Sequence, residues 1–134
     1  MSFGTATVIT NVGAAIQAKR MVGATPSQTE PKFVAMGVGA TGAARTAAVG
    51  DTALSTEVET RTTGSASTVT TTQTNDTYQC VGTVTASATR AVDEAGLFDA
   101  STSGNLMISA TFAVQSLANG DSIQFTFKNK FVPG

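Results

Sequence analysis

The 134-residue chain has no histidine and no tryptophan, one tyrosine (Tyr78) and one cysteine (Cys80). Without histidine there is no Ser-His-Asp triad and no Cys-His pair, and most zinc sites are ruled out. A single cysteine forms no internal disulfide. Its place in the alternation Tyr78-Cys80-Val84 marks a small buried hydrophobe rather than a nucleophile. Charge is also scarce. Asp, Glu, Lys and Arg make up 13% of the residues, against about 25% in ordinary soluble domains. The net charge is −1, and the eight basic residues are scattered. Their densest groups, Lys19-Arg20 and Lys128/Lys130, read as solvated helix and strand ends. Phosphate backbones demand clustered cations, so no nucleic-acid partner is expected. No apolar run approaches the roughly 18–20 residues that span a bilayer, so no membrane partner is expected. The opening MSFGTATVIT lacks the basic segment and long apolar run of a signal peptide. The sequon Asn75-Asp76-Thr77 reads as a turn.

What is present points to β-structure. Hydrophobic residues make up 41%, threonine is the commonest residue, and apolar positions are periodic. That is not a disordered composition. A chain of this length forms one domain that buries roughly two-thirds of its extended surface. Low charge with abundant threonine suits sheet surfaces. It also implies that partners cover part of the surface. The clearest pattern is near the end. Ile123, Phe125 and Phe127 alternate with Gln124, Thr126 and Lys128, the period of a strand with one dry and one wet face. Upstream, Leu106, Ile108, Ala110 and Phe112 alternate with Met107, Ser109 and Thr111. Asp99, Ser101, Ser103, Gly104 and Asn105, then Asn119, Gly120 and Asp121, supply turn chemistry between strands.

From the start, residues 1–10 read as an extended arm or edge strand. Thr10 or Asn11 caps a short helix over residues 11–22, with Val12, Ala15 and Ile16 on one face, Gly23 at its end and Lys19 and Arg20 in the last turn. This helix either packs on its own domain or docks the protein to a neighbour. Residues 24–31, with two prolines, form a linker. Residues 32–38 are a central strand. Residues 54–61 and 67–74 read as strands facing each other across Thr63-Gly64-Ser65, with Leu54 and Val58 inward and Glu57, Glu59 and Arg61 exposed. Residues 77–86 and 91–98 come next as strands. The sum is seven or eight short strands at near ten-residue spacing. It predicts an all-β, jelly-roll-like sandwich over residues 31–134, preceded by an arm, short helix and linker over residues 1–30.

Two groups invite a chemical reading. GVGATG, residues 37–42, matches the glycine pattern of dinucleotide sites, with Glu57 and Glu59 about twenty residues on. The next segment is broken by Gly50-Asp51 and too short for a crossover helix, so a glycine-rich loop is expected and no cofactor. Asp93, Glu94, Asp99 and Asp121 are oxygen donors that one hard cation would accept. Asp93 and Glu94 are adjacent on a strand and so point to opposite faces, and turn capping explains the aspartates more simply.

One stretch also carries a resemblance. EAGLFDA, then SGNLMISATF, then NGDSIQFTF, together with TNVG, PKFVAMGVG and GDTALSTEV earlier in the chain, resembles a family of small bacteriophage virion proteins. The family includes capsid decoration (cement) proteins and tail or collar fibre-like proteins. The likeness runs from about Thr10 to Phe131 and contains no catalytic motif. It implies a non-enzymatic part of the virion, foremost a decoration protein on the capsid exterior. Its implied partners are the major capsid protein and copies of itself, a trimer by preference. Val8, Ile9, Val12 and Ile16 are the expected attachment residues. The alternatives are a tail, neck or fibre component, or a glycan-binding β-sandwich. The last is disfavoured by the absence of tryptophan and the single tyrosine.

Overall fold

A computed structural model describes residues 7–23, 29–40 and 45–132. The chain is an all-β sandwich with one short helix. Its elements are β1 (Thr7–Ile9), α1 (Asn11–Met21), β2 (Phe33–Val38), β3 (Glu57–Thr63), β4 (Ser65–Val69), β5 (Thr77–Thr85), β6 (Arg90–Phe98), β7 (Leu106–Leu117) and β8 (Ser122–Lys130). A five-stranded sheet, in the order β1-β7-β6-β2-β3, packs on a three-stranded sheet, β4-β5-β8. Every pairing among these strands is antiparallel. Between the sheets, Phe125 and Phe127 of β8 and Cys80 and Val84 of β5 meet Val34, Met36, Val92, Leu97 and Ile108. Each buried phenylalanine is worth about 2–3 kcal/mol of transfer free energy.

The helix begins where threonine supplies a cap. Thr10 Oγ1 accepts the Gly13 N–H at 3.1 Å and donates to the Leu106 carbonyl, tying the helix start to β7. At Gly13 a Cβ would run into the Met107 carbonyl oxygen, so only glycine lets α1 lie this close to β7. Farther along, Asn129 Nδ2 of β8 donates to Gln17 Oε1 at 2.9 Å. The helix thus bridges one edge strand of the smaller sheet and the penultimate strand of the larger.

Three expectations change. First, residues 54–61 and 67–74 do not form a hairpin. β3 pairs with β2 in the larger sheet, and β4 pairs with β5 in the smaller. Gly64 is where the chain crosses between sheets. A Cβ there would lie 2.6 Å from Cys80 Sγ and 2.9 Å from the Val81 carbonyl oxygen. The second strand also ends early, at Val69, because the next residues wrap Asp76. Its carboxylate accepts the backbone N–H groups of Thr71, Thr72 and Gln73 at 2.9–3.0 Å.

Second, Leu106 and Ile108 do not share one dry face. Leu106 packs with Phe98, Ala35 and Leu54 on the outer side of the larger sheet, while Ile108 belongs to the core between sheets. A register irregularity between Leu97 and Phe98 accompanies the change. Met107, Ser109 and Thr111, expected to be wet, are buried. The helix lies against Met107, and residues 45–56 fold over Ser109 and Thr111. Third, Arg61 is not exposed. Its side chain is 6% accessible, and its guanidinium lies 3.5 Å from the Phe98 ring centre. It also holds Glu57 through two hydrogen bonds and donates to the Ala100 and Ser103 carbonyls.

Candidate interaction surface

The acidic residues are positioned by structure-building bonds. Asp93 lies at a register irregularity of β6, and its Oδ1 accepts the Ala40 N–H at 3.1 Å. Glu94, fully buried, accepts the Thr56 N–H at 3.1 Å with one oxygen and Arg45 Nη1 at 2.7 Å with the other. Arg45 also reaches Asp51 at 2.6 Å, and Ser109 Oγ donates to the same Asp51 oxygen at 2.8 Å. Ala47 N–H donates to Thr111 Oγ1. These bonds clip residues 45–56 onto the outer face of the larger sheet, with Leu54 closing a small apolar cluster beneath. Burial pushes the Glu94 carboxyl above its ordinary range, opposed by the Thr56 N–H and by the Arg45 charge. Asp99 takes the N–H and side-chain amide of Asn105, and Asp121 takes the Ala118 N–H. Both are turn caps. Among the described residues no three His, Cys, Asp or Glu side chains converge to hold a metal ion.

The glycine pattern also has a packing explanation. A Cβ on Gly37 would lie 2.5 Å from Glu94 Oε1, so the residue opposite the buried acid has to be small. Gly39 has φ +87°, a backbone that glycine tolerates best. The next strand, β3, runs antiparallel to β2, unlike the parallel strand of a dinucleotide fold. The last residues of the pattern, 41 and 42, lie outside the described residues. Cys80 is buried, and its thiol is pushed up to about 11, chiefly by that burial.

The four expected attachment residues divide. Val8 and Ile9 belong to β1, paired with Ser109 and Ile108 of β7, and both are half-buried. Ile9 packs on the main core. Val12 is half-buried. Ile16 is 1% accessible and is held within the chain's own fold, at the wall of the groove between α1 and the ends of β4 and β5. Residues 1–6 of the expected arm lie outside the described residues. A hollow of about 460 Å³ lies beside β1, lined by Val8, Ile9, Val49, Ile108 and Lys128 among others.

A larger groove, about 490 Å³, opens between the last turns of α1 and the ends of β4 and β5. Ile16, Met21, Pro31, Tyr78, Met107 and Phe131 supply its apolar walls. The Tyr78 hydroxyl donates to the Pro31 carbonyl, and burial pushes its pKa well up. Sequence reasoning missed this groove because its walls come from five separate stretches. The available signal was the pair of apolar doublets, Met21-Val22 at the end of a helix and Phe131-Val132 just past the end of a strand, of which Met21 and Phe131 line the groove.

Compared with protein-family models, with curated proteins and with solved structures, the chain matches none.

Proposed function

We propose that this chain is a non-enzymatic structural protein of a bacteriophage particle, foremost a decoration protein that sits outside the head and holds neighbouring capsid subunits together. The observation that carries the reading is the resemblance of EAGLFDA, SGNLMISATF and NGDSIQFTF. These segments fall on β6 and β7, interior strands of the larger sheet, and on β8, an edge strand of the smaller one. The surface supports it. Charged residues are few, and large apolar side chains stand exposed at Met21, Val22, Phe131 and Val132. Such side chains gain most when a neighbour removes them from water. The residues that would attract an enzymatic reading, Asp93, Glu94, Asp99 and Cys80, are engaged in holding loops or filling the core.

On this reading the partners are the major capsid protein and further copies of the chain. Of the expected attachment residues, Val8, Ile9 and Val12 keep accessible surface. Val8→Asp together with Val12→Asp should deplete the protein from purified particles while the domain still melts cooperatively. Full occupancy by that variant would remove β1 and α1 as the attachment face. Absence of the wild-type chain from virions would overturn the functional reading itself.

A further inference from the structure

We propose that Asn119 is a chemical-ageing site, primed by its sequence for conversion to aspartate and isoaspartate and held off by the fold of the turn between β7 and β8. Asn119 is the chain's one asparagine followed by glycine. Glycine has no side chain to shield its backbone nitrogen or restrict its approach, so this dipeptide closes most readily into an imide ring. In that step the Gly120 nitrogen gives up its proton and bonds to the side-chain carbonyl carbon of Asn119. The bond from that carbon to Nδ2 breaks, and the amide leaves as ammonia. Water then opens the ring at either carbonyl, giving aspartate or isoaspartate. The sequence needs no oxidant or reductant. Asn119 and Gly120 are both exposed, so water reaches them.

The folded turn opposes the ring-closing step. The attacking atom is the Gly120 nitrogen, and its N–H donates to the Ala86 carbonyl at 2.8 Å. Ala86 is buried just past the end of β5, and its own N–H donates to the Asp121 carbonyl at 2.8 Å. Within the turn, the Asp121 N–H donates to the Ala118 carbonyl at 3.0 Å, and the Asp121 carboxylate accepts the Ala118 N–H at 2.8 Å. Gly120 has φ +92° while Asn119 keeps a negative φ, which makes this a type II turn. Such a turn holds the Asn119 ψ at about +120°. Ring closure needs ψ rotated well away from that value, and the bonds to Ala86, Ala118 and Asp121 resist the rotation. The isoaspartyl product lengthens the backbone inside the turn, so it cannot keep all of these bonds.

This site is independent of the virion reading and needs no partner. The test is peptide mapping by mass spectrometry on the full chain, incubated at mildly alkaline pH in buffer and in guanidinium chloride. In denaturant Asn119 should be the first asparagine to convert. In the folded protein it should convert at least about 10-fold more slowly, because the reaction proceeds through the small population in which the turn is open. Asp121→Ala removes the carboxylate from the Ala118 N–H. In the folded protein it should speed both hydrogen exchange at the Gly120 amide and conversion of Asn119, with an unchanged circular dichroism spectrum showing that the sheets are intact. If that variant does not fold, the wild-type comparison decides alone. A folded rate equal to the rate in denaturant, another asparagine converting first in denaturant, or a folded Asp121→Ala variant in which Asn119 converts no faster would each overturn the proposal.

Discussion

Replacing Arg45 with methionine isolates the energetics of the clip that holds residues 45–56 on the sheet. Wild-type Arg45 sits between Glu94 and Asp51, at 2.7 and 2.6 Å, and its side chain is 21% accessible. Glu94 has no accessible surface, so removing the guanidinium leaves a buried carboxylate facing neutral donors such as the Thr56 N–H. Removing one partner of a fully buried pair costs about 3–5 kcal/mol. Because Arg45 keeps some contact with water, we expect about 2–3 kcal/mol at pH 7.5. For a chain of this length that is a melting-point drop of roughly 10 °C. The loss should depend on pH with a definite sign. A carboxyl whose folded pKa lies above the unfolded value binds protons more readily when folded, so its contribution to stability falls as pH rises through the folded pKa. Burial already raises Glu94, and the Arg45 charge opposes that rise. Arg45→Met should therefore raise it further and cost clearly less at pH 5 than at pH 7.5. Glu94→Gln in the same chain should recover most of the loss at pH 7.5, because the amide keeps an acceptor for Thr56 without a buried charge. Urea melts at the two pH values measure all of this. An equal cost at both, or no rescue by Glu94→Gln, would refute the argument from an unpaired buried charge.

Three further outcomes rest on the same geometry. Ile16→Ala should cost about 2–4 kcal/mol in global stability, read by denaturant melts; a stability-neutral variant would mean the helix is not seated in its own domain. Asp76 is held well below its ordinary 3.8 by the N–H groups of Gln73, Thr72 and Thr71. It thus contributes stability above that range that is lost as pH falls, and Asp76→Asn should flatten the acid limb of the stability curve; an acid limb as steep as wild type would contradict this. Cys80, buried with its thiol raised, should resist a thiol reagent in the native protein and react stoichiometrically in denaturant. Rapid native labelling would show that the space between the sheets opens readily.

Features encoded locally were legible in the sequence. The alternation of Ile123, Phe125 and Phe127 marks the inner face of β8, where they are 9%, 0% and 1% accessible. The helix expected over residues 11–22 is α1 (Asn11–Met21), because Thr10 and the last-turn cations Lys19 and Arg20 are local signals. Features that depended on distant chain were not legible. Ser109 and Thr111 alternate as wet positions would, yet a segment 58 to 64 residues earlier covers them. Thr63-Gly64-Ser65 has the composition of a hairpin turn, yet the glycine is used for close passage between sheets. The Glu94-Arg45-Asp51 cluster left one trace, an acid inside the apolar run of β6, and nothing local identifies its partners. Ile16 sat among the attachment residues because periodicity shows that a face is apolar without showing what it meets. The groove at Tyr78 and Phe131 exists only once α1, β5 and the end of β8 are assembled.

The most direct test of the virion assignment is the number of copies of this chain per purified particle, by quantitative mass spectrometry against the major capsid protein. A decoration protein should give a count commensurate with the capsid lattice. A handful per particle would move the protein to the tail or neck and contradict decoration, and its absence would contradict the assignment altogether.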